Sequence, residues 1–593
     1  MASNPKIIVI GGGLAGLAAT IKIAEMGGHV DLFSIVPVKR SHSVCAQGGI
    51  NAAKNLKGEG DSTWQHFDDT VYGGDFLANQ PPVKAMCEAA PGIIDLLDRM
   101  GVPFNRTPEG LLDFRRFGGT LFNRTAFAGA TTGQQLLYAL DEQVRRHESE
   151  GKVRKFEHWE FLSAVLDSNR ICRGICAMDL RSMEVRTFPA DAIIIATGGN
   201  GAIFGRSTNS VVCTGSAQSA LYQQGCYYAN GEFIQVHPTC IPGEDKLRLM
   251  SESARGEGGR VWVPKTPGDK RDPKAIPEKE RWYFLEEWYP KYGNLVPRDI
   301  ATRAIHKVVY EDNLGIDGKP MVYLDLTHID RKILDRKLEG ILEIYEKFVG
   351  DDPRDTPMKI FPGMHYTMGG LWVDFTQATN VPGIFAAGEC EYQYHGANRL
   401  GANSLVSCIF GGFVAGPTAV QYARNLKAAL SNGYFDTERK RQEENNATLM
   451  KSDGAENPFK LWRELGDLMT KNVTVIRYNK NLQQTDAELC QLLERFRHIN
   501  LSDRTQWANT SVVFARQLYN MLQLARVITQ GAGLRDESRG AHYKPDFPER
   551  DDKNWLKTTK AAFAPDADEP KFEFEPVDVS LIPPRPRRYD AVK

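Results

Sequence analysis

The stretch KIIVIGGGLAGLAATIKIAEMGGHVDLFS, residues 6–34, decides the fold. Lys6–Ile10 reads as a short apolar strand, Leu14–Met26 as a helix rich in Ala and Ile, and Val30–Phe33 as a second strand. Gly27-Gly28 separates that strand from the helix. Gly11, Gly13 and Gly16 stand in G-x-G-x-x-G spacing between the first strand and the helix. Glycine there permits the tight turn and lets backbone N–H groups approach a pyrophosphate at the helix N-terminus. In this strand–turn–helix setting the motif predicts dinucleotide binding, the alternative being a tight turn without a ligand. Ser34 stands at the end of the second strand, where an acidic residue is expected for the ribose hydroxyls. A serine also hydrogen-bonds a ribose, so this turn does not choose between nucleotides.

Working outward, two further apolar runs have the same character. Ala192–Ala196 ends in Thr197-Gly198-Gly199, and Ile384–Ala387 ends in Gly388-Glu389. Such runs suit a parallel sheet, whose strands are buried on both faces. At 593 residues the chain exceeds one core, and roughly 150 residues per domain suggests about four units. Between 244 and 358 Lys, Asp, Pro and Trp crowd together, as in KTPGDKRDPKAIPEKERWYFLEEWYPKYG, and the apolar strand runs stop. This predicts a capping domain over 244–358, inserted in a nucleotide-binding domain made of 1–243 and 359–428. From 429 to 546 apolar residues recur at three and four, as in AELCQLLERFR and VFARQLYNMLQLARVI, which predicts a helical domain. The tail, 547–593, carries Pro and acidic residues without clear periodicity and reads as an extended surface segment.

Composition removes several functions. Lys+Arg is 73 and Asp+Glu is 74, a net charge of -1, which argues against a nucleic-acid partner. The ten cysteines form no CxxC pair; the nearest two are Cys172 and Cys176. That predicts a reducing compartment and argues against an iron–sulfur or other metal cluster in this chain; no metal-ligating residues are singled out. The N-terminus lacks the layout of a signal peptide. No uninterrupted apolar run reaches the ~18 residues of a membrane span; the nearest, 7–24 and 405–420, are rich in Gly.

The next block identifies the cofactor. KRSHSVCAQGGINAA, residues 39–53, resembles the flavin-attachment segment of succinate dehydrogenase and fumarate reductase flavoprotein subunits. The resemblance runs to about residue 550. FSIVPVKRSHSVCAQGGIN and YGGDFLANQPPVKAMCEAAP are particularly similar to subunits that work with a di-haem cytochrome b anchor in Gram-positive and related bacteria. It implies an α/β fold: a Rossmann-like FAD-binding domain interrupted by the capping domain and followed by the helical C-terminal domain. It implies covalent FAD on His42, with Gln47, Gly48 and Gly49 of the AQGG loop beside the cofactor. Glu389 in AAGECEY then meets the ribityl or phosphate region. Ser404 and Leu405 open a helix whose N-terminus would stabilise negative charge on the reduced ring. Ser216, in TGSAQSA, stands where many members carry an Asp.

A C4 dicarboxylate needs cationic and hydrogen-bonding groups at both ends, and Arg offers a planar fork. Four Arg/His positions lie in Gly/Pro-rich stretches: His237 in QVHPTC, Arg298 in VPRDIATR, His365 in GMHYTMGG and Arg399 in HGANRLGANS. Taken singly, each reads equally well as a surface Arg or a structural His. By the resemblance, His365 and Arg399 hold one carboxylate, while His237 and Ser251 hold the other. Phe117 in RRFGG packs near the central carbons, or is plain core. Arg298 transfers the proton, and Glu252 and Arg255 of SESARGEGGR form its path to solvent, a spacing that equally suits a helix-surface ion pair.

The reading is therefore the catalytic subunit of a succinate:quinone oxidoreductase, moving a hydride between succinate and FAD. The resemblance implies an iron–sulfur protein subunit and a membrane cytochrome b anchor, peripheral attachment at the cytoplasmic face of a bacterial inner (plasma) membrane, and menaquinone as acceptor. Alternatives are an L-aspartate oxidase-type flavoenzyme, which lacks the histidine of covalent attachment, a soluble fumarate reductase, and a flavin-containing RNA-modification or binding protein.

Overall fold

Strands covered on both faces have no polar side to show, and four such strands with a more polar edge strand form a parallel sheet. They are β1 (Lys6–Ile10), β2 (His29–Ser34), β3 (Val153–Glu157), β4 (Ala192–Ile195) and β5 (Ile384–Ala386), in the order β5-β4-β1-β2-β3. The computed structural model describes residues 4–243, 247–426, 432–565 and 569–589. Ile10 at the end of β1 lies opposite Ile195 of β4 and Phe33 of β2. The strand order reverses between β1 and β4, so the crevice beyond their carboxyl ends is a ligand site by topology. The expected strands and first helix are all present, shifted by a residue or so at their ends.

Helix α1 (Leu14–Glu25) packs against α2 (Asn403–Asn425) through glycines. A Cβ on Gly412 would stand 2.4 Å from the Ala15 carbonyl oxygen, and one on Gly416 would stand 2.9 Å from that of Ala19. Among the described residues α2 is the one helix long and apolar enough to cross a membrane, with a mean hydropathy of 1.3. Its Val406, Ile409, Ala419 and Val420 are buried in the core shared with α1, so its apolar character serves packing.

The insert forms a six-stranded antiparallel sheet with its own core. Two of its strands, Ile234–Ile241 and Met358–Thr367, lie at or beyond the expected limits of 244 and 358, because they pair with each other across the insertion point. Residue 244 and the boundary at 428/429 lie outside the described residues. Strands do not stop inside the insert. Arg260–Pro264 and Val322–Asp325 are short, and their Trp262 and Tyr323 rings face each other at 4.6 Å. Helices Asn432–Lys451, Pro458–Asn472, Asn479–Phe496 and Thr510–Leu534 form the expected helical unit.

The tail departs from expectation. Lys557–Ala562 and Lys571–Pro576 make an antiparallel hairpin that joins Tyr228–Ala229 and Gly370–Leu371 in a four-stranded sheet. The polar face of KTTKAA is met inside the protein: Thr559 N–H donates to Asn230 Oδ1 at 3.0 Å, and Thr559 Oγ1 accepts from Arg535 Nη2 at 2.8 Å. Beyond it Ile582 and Tyr589 are buried.

The turn between β1 and α1 has no spare room. A Cβ on Gly16 would lie 1.9 Å from the Gly11 carbonyl oxygen. Gly16→Ala should therefore push α1 off β1 and cost about 1–3 kcal/mol, seen as a lowered urea midpoint; an unchanged midpoint would show that the helix yields freely.

Candidate active site

A cavity of 520 Å³ begins at the glycine turn and ends among the predicted substrate residues. At its first end Gly11 has φ +118°, and a Cβ there would meet the Ala196 carbonyl oxygen at 2.1 Å. Two helices start at the cavity behind N-cap residues whose own side chains make no cap hydrogen bond. Gly13 precedes α1, whose Leu14 N–H reaches Ser43 Oγ at 3.3 Å. Ala402, in the left-handed region at φ 61°, precedes α2. Backbone N–H groups and the positive ends of two helix dipoles thus serve one space, as a dinucleotide and a reducible ring require. Ser34, Gln47, Gly48, Gly49, Ser404 and Leu405 line it, as does Glu389. Gly16 does not; its place is the packing of α1 on β1.

The loop that carries His42 is held from outside. Arg115 is buried and donates from Nε to the Gly48 carbonyl oxygen at 3.1 Å and from Nη2 to that of Gln47 at 3.3 Å. Phe117 lies against Gly48, where a Cβ would come within 2.7 Å of its Cζ. Phe117 lines the cavity and is itself buried. Ser210 N–H donates to His42 Nδ1 at 3.2 Å, and Asn209 Nδ2 lies 3.2 Å from Nε2. Burial raises the Glu389 carboxyl to about 7, against the opposing Thr367 N–H bond of 3.1 Å.

At its far end the cavity gathers cations and donors. Arg399 is 2% exposed, lies over the Tyr366 ring, and has no carboxylate within ion-pair distance among the described residues. Its Nε has no hydrogen-bond partner among the described residues. Burial, and next the charge of Arg298, push this guanidinium down to about 9. His237 accepts from Thr239 N–H at Nδ1 (3.2 Å), while its buried Nε2 has no partner among the described residues. That arrangement assigns the proton to Nε2, a donor waiting for a ligand. The His365 ring stands 5.0 Å from that of His237, with Nδ1 2.6 Å from Thr208 Oγ1. Burial first, then Arg298, hold both histidines well below their ordinary range, so they enter the site neutral. Ser251 lines the same end, its Oγ 2.9 Å from that of Ser253.

Glu252 is wedged between two arginines. Its Oε2 accepts from Arg298 Nε at 2.9 Å and Nη2 at 2.7 Å, and its Oε1 from Arg255 Nη2 at 3.2 Å and Gly118 N–H at 2.9 Å. Burial opposes ionisation of this carboxyl, but Arg298 and then Arg255 outweigh it and hold the group below its ordinary range. Arg255 does not line the cavity; it stands behind Glu252 and donates to the Asn294 carbonyl oxygen at 2.6 Å. All three side chains are almost wholly buried, which rules out the helix-surface ion pair.

Sequence reasoning missed Gln235. Its Oε1 accepts from Arg298 Nη1 at 2.9 Å, and its Nε2 donates to the Arg399 carbonyl oxygen at 2.7 Å, so one amide spans both arginines. The available signal was its place two residues before His237 in one strand. Thr208, which meets His365, left no signal in the sequence.

Fold and site together define an FAD-dependent oxidoreductase whose active site takes a small anion. A model of the FAD binding domain matches residues 6–405, and one of the fumarate reductase flavoprotein C-terminal region matches 462–589. The chain is 66% identical over 594 residues to the succinate dehydrogenase flavoprotein subunit of Bacillus subtilis, covering 100% of this chain and 99% of that one. It is 33% identical to the fumarate reductase flavoprotein subunit of Escherichia coli, covering 98% and 95%. A structure of a variant of the E. coli quinol fumarate reductase FrdA superposes with a TM-score of 0.91 at 31% identity, over 100% of both chains. A quinol-fumarate reductase solved with menaquinol molecules gives 0.89 at 32% identity, over 98% of this chain and 99% of that one. The chain belongs to the succinate dehydrogenase/fumarate reductase flavoprotein subunits, FAD-dependent enzymes that interconvert succinate and fumarate. The other readings weighed above are not favoured.

Glu252→Gln removes the counter-charge of two buried arginines and should destabilise the chain by about 3–5 kcal/mol. Because the folded carboxyl titrates below its ordinary 4.5, its contribution is complete above that pH and is lost as pH falls further, through the folded value. Urea titrations of parent and variant should give a constant gap from pH 8 to about 5.5. A gap already closing at pH 6 would mean that Glu252 is protonated there.

Proposed function

We propose that FAD is bound covalently through His42 and that Arg298 is the acid–base group of the reaction. His42 lines the cavity beside the AQGG loop, with Ser210 N–H at its Nδ1 and Asn209 Nδ2 3.2 Å from its Nε2, which suits a ring held in place for the bond to the cofactor. When bound, FAD supplies a two-electron acceptor and donor for hydride. The uncapped start of α2 at Ser404 and Leu405 suits the charge that accompanies reduction, and Glu389 suits the ribityl or phosphate region.

The observation that carries this reading is the buried, unpaired Arg399 beside His237, His365 and Arg298 in the cavity that also holds the glycine turn. Arg399 and His365 clamp one carboxylate of succinate or fumarate; His237 Nε2–H and Ser251 Oγ clamp the other. Phe117 packs beside the central carbons. Clamping at both ends orients those carbons and excludes water. Arg298 gives a proton to one carbon in fumarate reduction and removes it in succinate oxidation. A guanidinium ordinarily keeps its proton, so the oxidation direction needs a neighbour that shares it at once. Glu252 bonds two nitrogens of Arg298 and passes to Arg255, which continues the path to Asn294. The capping domain carries Arg298 and Glu252, so its closure over the flavin domain completes the site.

The chain works with an iron–sulfur protein subunit and a membrane cytochrome b anchor of the di-haem type, peripheral at the cytoplasmic face of a bacterial plasma membrane, with menaquinone as acceptor. The 66% identity to the B. subtilis subunit supports this assignment.

Two measurements test the reading. Arg298→Lys should lower succinate-dependent flavin reduction by about 10²–10⁴-fold while malonate still perturbs the flavin absorbance; an unchanged rate removes Arg298 from its proton role. After acid precipitation the flavin should remain with the parent chain and separate from His42→Ser. Release from the parent would sink the covalent link.

A further inference from the structure

The last described residues of the chain reach the helix that carries the acid–base arginine. Arg298 opens the helix Arg298–His306, and the next side chain, Asp299, is buried but does not line the cavity. Arg587 grips its carboxylate with both fork nitrogens, Nη1 to Oδ2 at 2.6 Å and Nη2 to Oδ1 at 3.0 Å. Oδ1 also accepts from Asn398 Nδ2 at 3.0 Å, and Arg303 Nη2 reaches Oδ2 at 3.3 Å. Asn398 immediately precedes Arg399 and accepts from Gln235 Nε2 at 2.9 Å. One carboxylate therefore joins the start of the cap helix, the Arg399 turn and the tail.

The tail around Arg587 lies across both domains. Tyr589 packs on Tyr292 of the cap, ring centres 5.0 Å apart, and on Tyr72 of the flavin domain at 5.5 Å. Arg588 N–H donates to the Tyr72 hydroxyl at 2.6 Å, and Arg585 pairs with Asp68 at 2.6 Å. The side chains of Arg587 and Asp299 are only 6% and 1% exposed. Removing one member of such a pair leaves the other charge buried without its partner. The cation remaining nearest to Asp299 would be Arg303, one turn along the helix and 25% exposed. Drawing Asp299 toward it moves the first turn of the helix, and Arg298 with it.

We propose that Arg587 is a positioning residue for catalysis: through Asp299 it holds the first turn of the Arg298 helix against Asn398, and so sets Arg298 relative to Arg399. This rests on the role of Arg298 proposed above.

The test uses the full chain with bound flavin in its assembled complex. Arg587→Met should lower kcat for succinate oxidation about tenfold or more, with the Kd of malonate, read from flavin absorbance, within about threefold of the parent. A tail that only stabilised the fold would not split the two in this way. The double variant Asp299→Asn/Arg587→Met removes both charges and keeps an amide oxygen for Asn398, so kcat should recover to within about threefold of the parent. Arg587→Lys, which keeps the charge without the fork, should fall between parent and Arg587→Met; if Arg587→Met does not fold, this variant and the double variant carry the comparison. Turnover of Arg587→Met within about twofold of the parent overturns the proposal, as does a double variant no better than the single one. A large effect of Arg298→Lys beside an inert Arg587→Met removes the positioning role alone. An inert Arg298→Lys removes the role of Arg298 itself.

Discussion

A surplus of buried positive charge governs this active site. Arg255, Arg298 and Arg399 are all buried, and Glu252 bonds the first two while Arg399 meets no acid among the described residues. A dry cavity tolerates such an imbalance only when further groups share it or a ligand completes it. The neighbouring histidines add no charge of their own, since burial and Arg298 keep them neutral. His237 contributes a directed donor instead, with Thr239 fixing its tautomer. Such a surplus of cations and directed donors suits an anion.

The fold meets this requirement with elements from distant parts of the chain. The turn after β1 and the start of α2 bring backbone donors to one end of the cavity. The strand Ile234–Ile241 supplies His237 and Gln235, its partner Met358–Thr367 supplies His365, and the cap helix supplies Arg298. Gln235 then links the cap helix to the Arg399 turn with one side chain. The glycine-turn end of the cavity is therefore built mainly from backbone, where glycine matters most, and the arginine–histidine end from side chains on paired strands, the cap helix and the Arg399 turn.

This division explains what was legible in the sequence. Strands buried on both faces and a glycine turn leave local signatures, so β1, α1, β2, β4 and β5 were readable within a residue or so of their ends. His237, Arg298, His365 and Arg399 were ambiguous one at a time and became a set through family resemblance. The cap was harder: its short strands mix Trp, Tyr and charge, and its sheet extends past the change of texture that marked the insert. The tail hairpin was missed because its partner Tyr228–Ala229 lies more than three hundred residues away and its buried threonines are satisfied by Asn230 and Arg535. Local periodicity carries no record of such long-range satisfaction.

The strand order also says when the cofactor site comes into being. β1 is made first, yet it needs β4 on one side, β4 needs β5, and α1 rests on α2. During synthesis from the N-terminus, the glycine turn thus waits for residues near 386 to close its sheet and for residues near 420 to cover its helix. Long-range parallel pairing is slow, and an unfilled sheet edge invites misassociation. The glycine turn is translated well before it is usable, so a nascent subunit passes through a long interval with the apolar strand β1 uncovered on one side.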